Sequence, residues 1–140
     1  MWPDDLGINV SRESLDKLKQ YQALLFKWQK AINLISPKTL QGSGVRHFAD
    51  SAQLVQYIPG GVQSVMDWGS GAGFPGAVLA VIRPDLNFTL VESDERKCQF
   101  LRTVSRETSA TMRIENARIE DVVAACVDIP DLFTARALKP

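Results

Sequence analysis

The spacing of apolar positions changes partway along this chain, and the change divides it into two parts. After Ser11, the residues Leu15, Leu18, Tyr21, Leu25, Trp28 and Ile32 recur at steps of three and four, which places them on one face of a helix. Ser11 suits the N-cap of that helix, and Glu13 brings a negative charge into its first turn. Ile35-Ser36-Pro37 is expected to end it, because proline disfavours helical geometry at the preceding residue. Gln41-Gly42-Ser43-Gly44 reads as a flexible turn. A second helix is expected from Val45 to Ile58, with Val45, Phe48, Ala49, Ala52 and Val55 inward, and Pro59-Gly60-Gly61 closes it.

From Val62 short strand-like runs alternate with helical ones. Strands are expected from Ser64 to Trp68, Asn87 to Glu92, Thr111 to Asn116 and Leu132 to Leu138. Helices are expected from Pro75 to Arg83, Asp94 to Glu107 and Val122 to Val127, the first with proline in its favoured opening turn. Such alternation is the mark of parallel βαβ units joined by right-handed crossovers. The fold class is therefore α/β with a parallel sheet. The division falls at Pro59-Gly60-Gly61, with a helical cap over residues 1–60 and a Rossmann-like part over 61–140.

With 140 residues the chain can bury the core of one domain. Its 16 basic and 16 acidic residues cancel, so a nucleic-acid partner would have to be held by a local patch. One exists in the pattern: from Leu15 to His47 there are six lysines or arginines and one acid, Asp16. A solvated helix face also carries lysines, as at Lys17, Lys19, Lys27 and Lys30, but one-sided charge is what a phosphate-facing surface shows. His47, the single histidine, has no second ligand nearby, so a structural or capping role is expected and no metal. Cys98 and Cys126 share no metal-ligand spacing and read as buried thiols of a cytosolic protein. The start of the chain lacks the basic and apolar regions of a signal peptide. The longest apolar run, Ala77 to Ile82, is too short to span a bilayer, so a cytoplasmic protein is expected.

The candidate chemistry lies in Asp67-Trp68-Gly69-Ser70-Gly71-Ala72-Gly73-Phe74-Pro75-Gly76, where four glycines fall within eight residues after a strand. Glycines at that density let the backbone turn sharply and let a ligand approach main-chain N–H groups. Two templates overlap. Gly71-Ala72-Gly73-Phe74-Pro75-Gly76 satisfies the dinucleotide fingerprint, with Glu92 about the right distance onward to hold a ribose. The acid Asp67 followed by Gly69, Gly71 and Gly73 is also the pattern of class I methyltransferases, which bind S-adenosyl-L-methionine. That ligand carries a sulfonium and an ammonium, which an acid at the strand tip suits, whereas a pyrophosphate would be repelled. Pro75 also removes an N–H that a pyrophosphate could use. The methyl donor is favoured, with Glu92 accepting both ribose hydroxyls. Glu120 and Asp121 either face an adenine or serve as N-terminal helix charges.

With these residues assembled, the chain resembles the RsmG (GidB) family of 16S ribosomal RNA guanine-N7 methyltransferases. The resemblance rests on Leu24-Leu25-Phe26-Lys27-Trp28 with Asn33-Leu34, on Arg46-His47-Phe48-Ala49-Asp50-Ser51, and on the glycine loop through Pro75-Gly76. Arg83-Pro84, Glu92-Ser93, Arg96-Lys97, Phe100-Leu101 and Ala135-Arg136-Ala137 extend it over nearly the whole chain. It implies that Gly69, Phe74, Glu92, Ile119, Glu120 and Arg136 line the donor pocket, with Arg136 also a candidate for orienting the target base. It further implies a small-subunit ribosomal RNA or particle as partner, no membrane, no metal, and a monomer. On that implication Lys27, Lys30, Arg46 and His47 are the candidate phosphate contacts. Gln29 stands where the family commonly has asparagine, and Gly42-Ser43-Gly44 where it has a charged helix-like segment. The family's sheet continues beyond the position of Arg136, so a truncated protein with an uncovered fourth strand is expected. The rival readings are an NAD-dependent oxidoreductase, supported by the overlapping glycine fingerprint, and a non-catalytic RNA-binding fragment.

Overall fold

The structure, a computed structural model, describes residues 8–35, 37–125 and 128–135, with the backbone alone described over 37–44. The first helix, α1 (Arg12–Gln29), begins where its N-cap is satisfied, since Ser11 Oγ accepts the Ser14 N–H at 3.1 Å. The periodic stripe turns inward as expected: Leu18, Tyr21 and Leu25 are fully buried. The helix ends at Gln29, ahead of the expected Ile35-Ser36-Pro37. Gln29 Oε1 accepts the N–H groups of Leu34 and Ile35 at 2.9 and 3.0 Å, and its Nε2 donates to the Ile35 carbonyl at 2.6 Å. This side-chain amide closes the turn without help from proline.

Helix α2 (Pro37–Gln53) corrects the second expectation, because it starts eight residues before Val45 and runs through Gly42-Ser43-Gly44. Pro37 therefore opens a helix instead of ending one, the role its fixed φ and missing N–H suit. Each glycine costs about 1 kcal/mol of helix propensity, which weakens a helix without forbidding it. The α-helix gives way to a 3₁₀ turn at Leu54–Tyr57.

The alternating part folds as expected, with shifts at the ends. Its elements are β1 (Ser64–Trp68), α3 (Gly76–Ile82), β2 (Asn87–Glu92), α4 (Glu95–Thr108), β3 (Arg113–Asn116), α5 (Ile119–Ala125) and β4 (Leu132–Ala135). Asp94 is the N-cap of α4, its Oδ1 accepting from the Arg96 N–H at 2.9 Å. Helix α5 starts three residues before the expected Val122. The expected ends of that helix, at Val127, and of the fourth strand, at Leu138, lie outside the described residues.

All four strands are parallel, in the order β3-β2-β1-β4, with Asp67 level with Leu90 on one side and Thr134 on the other. Right-handed crossovers put α3 and α4 on one face of the sheet and α5 on the opposite face. The first face is thickly covered: α1 packs across α3 and α4, and α2 packs on α3. One apolar cluster joins Leu18, Tyr21 and Phe48 of the leading helices to Phe74, Leu79 and Leu101. The second face is thinner. Strand β1 alternates buried Val65 and Asp67 with partly exposed Met66 and Trp68, and Trp68 stacks on Phe133 of β4 at 5.5 Å. The order in which strands join the sheet reverses between β1 and β4, so the crevice where such sheets take ligands opens at the carboxyl ends of β1, β2 and β4.

Candidate cofactor pocket and glycine loop

The glycine loop joins β1 to α3, and its backbone polar groups are turned inward. The Ser70 N–H donates to the Val91 carbonyl at 3.1 Å, and the Gly73 N–H to the Ser70 carbonyl at 2.7 Å. The Gly71 N–H donates to Glu92 Oε1 at 2.8 Å. These three amides are therefore already engaged by the protein. A loop that cradles a pyrophosphate keeps such groups for its ligand.

Asp67 lies under the loop. The sequence reading sets it against the positive charge of a ligand, but the carboxylate is wholly buried and turned to protein donors. Ser70 Oγ and Thr134 Oγ1 each donate to it at 2.7 Å, and the Gly76 N–H adds a third bond. Its pKa is raised because burial disfavours the charge more than these three hydrogen bonds favour it. Asp67 thus ties β1, β4, the loop and the start of α3 together from below. The fit with Gly76 is close: a Cβ there would lie 2.5 Å from Asp67 Oδ2.

From above, the loop is held by α1. The buried Tyr21 hydroxyl donates to the Ala72 carbonyl. Its pKa is raised well above the ordinary phenol value, first by burial and then by the nearby Asp67 charge. Phe74, read as a pocket residue, is instead buried among aromatic rings: it stacks on Tyr21 at 5.9 Å and meets Phe48 edge-on at 5.0 Å. His47 packs its half-buried ring on Phe74 at 5.3 Å, which makes it part of this cluster, in keeping with the structural role expected of it.

The pocket itself opens beyond β1, β2 and β3. It has a volume of about 150 Å³ and brings together four of the expected residues, Gly69, Glu92, Ile119 and Glu120. Val91, Ser93, Ala117 and Arg118 complete its lining. Glu92 is the best organised of these. One carboxylate oxygen holds the Gly71 N–H and the other holds the Asp94 N–H, both at 2.8 Å. Each oxygen keeps a second lone pair, so the fixed carboxylate can still accept two hydroxyl donors. Gly71 and Gly73 shape the loop instead of lining the pocket, and Arg136 lies outside the described residues. Lys27, Lys30 and Arg46 are exposed, with the Arg46 guanidinium 3.8 Å from the Asp50 carboxylate. Cys98 is buried, its thiol pushed up to about 11 chiefly by that burial; Cys126 lies outside the described residues.

The sequence reading missed Tyr21 and Thr134 as parts of the site. Tyr21 belongs to an ordinary apolar stripe, and only its hydroxyl could have signalled that it needs a buried acceptor. Among the described residues no group of three or more His, Cys, Asp or Glu could hold a metal ion, and no helix is long and apolar enough to cross a membrane.

The profile of the family described as rRNA small subunit methyltransferase G matches residues 14–140. A protein of Parvibaculum lavamentivorans named ribosomal RNA small subunit methyltransferase G is 49% identical over 135 residues, covering 94% of this chain and 59% of the relative. Relatives of the same name from Paramagnetospirillum magneticum and Jannaschia sp. are 48% and 46% identical, covering 100% and 96% of this chain. The chain spans from 59% to 67% of the length of these three relatives. A match over almost the whole chain, by the family profile and by these relatives alike, places it plainly: this chain belongs to the rRNA small subunit methyltransferase G family.

Proposed function

We propose that this chain forms the S-adenosyl-L-methionine-binding part of a methyltransferase acting on N7 of a guanosine in 16S ribosomal RNA. One observation carries the choice of ligand. The loop amides of Ser70, Gly71 and Gly73 are bound within the protein, while the Glu92 carboxylate stands fixed at the pocket with acceptor capacity to spare. That arrangement suits a ribose hydroxyl pair on a cationic ligand and leaves those amides nothing to offer a pyrophosphate, which counts against the NAD reading. Gly69, Ile119 and Glu120 complete the donor's surroundings, with Asp67, Gly71, Gly73 and Phe74 holding the loop that shapes them.

The donor supplies an activated methyl group on sulfur. Guanine N7 carries a free lone pair, so no proton has to leave before attack and no general base is needed. The chain's own residues would then work by positioning and by excluding water. Lys27, Lys30 and Arg46, exposed on the leading helices, would meet RNA phosphates, with residues 1–60 acting as the RNA-facing cap and 61–140 as the donor-binding part. A base splayed out of single-stranded or loop RNA could reach the crevice.

Calorimetric titration of the purified protein with S-adenosyl-L-methionine and with NAD tests the ligand: binding of the first alone is expected, and binding of NAD alone overturns the reading. Transfer of a labelled methyl group to unmodified small ribosomal subunits tests the reaction. Donor binding with RNA binding but no transfer would favour a non-catalytic RNA-binding role. Replacing Lys27, Lys30 and Arg46 together should weaken RNA binding and flatten its salt dependence while sparing donor affinity.

A further inference from the structure

A second, smaller pocket of about 130 Å³ lies on the other side of the glycine loop from the donor pocket. It is lined by Asp50 and Ser51 of α2, by Leu54 at the start of the 3₁₀ turn, by Pro75 at the loop's exit, and by Ala135 at the end of β4. The two pockets therefore flank the point where the strand order switches, one towards β2 and one towards β4. Nothing in the donor reading uses the second pocket.

Its chemistry is specific. Leu54, Pro75 and Ala135 offer apolar surface against which a flat ring can lie. Asp50 adds a carboxylate whose side chain is 69% exposed and therefore reachable. Its present partner is Arg46 at 3.8 Å, a solvent-exposed pair that costs little to break. A carboxylate presents two acceptors side by side and no donor. Among the four RNA bases, guanine alone shows two adjacent N–H donors, N1–H and the 2-amino group, on its Watson–Crick edge. Adenine and cytosine present an acceptor beside a donor there, and uracil a donor between two carbonyls.

We propose that this pocket is the subsite for the target guanine, with Asp50 reading N1–H and the 2-amino group and Arg46 released towards a neighbouring phosphate. The assignment rests on the methyltransferase reading above and adds to it the residue that selects the base. A purine held by its N1 and 2-amino edge presents N7 on its opposite side, free of that grip. A depression of about 130 Å³ is on the scale of a single base, which suits a nucleotide splayed out of its strand. Asp50 is a specificity-determining residue here, and Ser51 and Leu54 shape the wall.

Titration of labelled protein with guanosine, inosine and adenosine monophosphates, followed by amide NMR shifts, tests the subsite directly, with or without donor. Guanosine monophosphate should shift the amides of Asp50, Ser51, Leu54 and Gly76, and inosine monophosphate, lacking the 2-amino group, should bind more weakly. Asp50→Asn should weaken guanosine monophosphate by about tenfold, the loss of a charge-assisted hydrogen bond. It should erase the preference over inosine and leave S-adenosyl-L-methionine affinity unchanged. Equal shifts from all three nucleotides, shifts confined to Glu92 and Ile119, or an undiminished guanine preference in Asp50→Asn would each overturn the subsite. Failure of the wild-type protein to bind the donor in calorimetry would instead count against the methyltransferase reading, so the two failures are distinct.

Discussion

Gly73 and Asp67 are held by opposite kinds of constraint. Gly73 has a φ of +98°, and a Cβ there would overlap the Tyr21 hydroxyl and lie 2.7 Å from Ala77 Cβ. Gly73→Ala should therefore cost about 2–4 kcal/mol, from left-handed backbone strain plus overpacking, read as a lower urea midpoint at unchanged slope. Asp67 is constrained electrostatically. Its folded pKa is raised, so the stability it lends is complete below the ordinary carboxylate pKa and is lost as pH rises through the higher folded value. Asp67→Asn should flatten that fall, and unfolding curves of both proteins across the mildly acid range check it. At this scale the sequence shows which residues matter but not their orientation. Asp67 and Phe74 both stand in the motif, yet one is roofed by the loop and the other is packed under α1 and α2, because burial is settled by what covers a residue.

At the scale of elements, one side chain fastens the entry of β4. Asp131 Oδ2 accepts the N–H groups of Gln63 and Ser64 at 2.8 and 3.1 Å, and the Asp131 N–H donates to Ser64 Oγ at 2.9 Å. These bonds tie the start of β4 to the start of β1. They also lower the Asp131 pKa, backbone hydrogen bonding being the main cause. A depressed folded pKa means the contribution is present above the unfolded value and lost as pH falls through the folded one. Asp131→Ala should speed amide exchange in β4 near neutral pH and reduce the acid sensitivity of unfolding; unchanged exchange would show that strand pairing alone holds β4. Strands β1 and β2 were legible to the residue, since a short apolar run bounded by glycine, proline or an acid has little freedom in its ends. Helix α2 was not legible at its start. Two glycines and a serine resemble a turn locally, and the choice of helix lies in the surroundings of Val45 to Ala52, whose Phe48 and Ala52 are fully buried.

Across the whole molecule, the leading helices and the ligand loop form one mechanical unit through the Tyr21 hydroxyl, which donates to Ala72, and the stacked ring of Phe74. Tyr21→Phe should cost about 1–3 kcal/mol by leaving a buried carbonyl unpaired, and should weaken donor binding more than it weakens RNA binding. S-adenosyl-L-homocysteine at a hundredfold excess over its Kd should raise the unfolding free energy by about 2.7 kcal/mol. In the wild type it should also slow amide exchange in α1, and in Tyr21→Phe that distant slowing should shrink while the loop's own protection remains. The sequence alone determined the α/β class, the parallel sheet, the glycine turn after β1 and the acid at the end of β2, because periodicity, turn chemistry and strand-end acids are local and repeat along the chain. Only the tertiary structure decided that Asp67 is a buried tie, that the loop amides are used internally, and that α1 clamps the loop from residues far away in sequence. Those facts depend on which groups meet across the fold, and no local spacing in the chain encodes that.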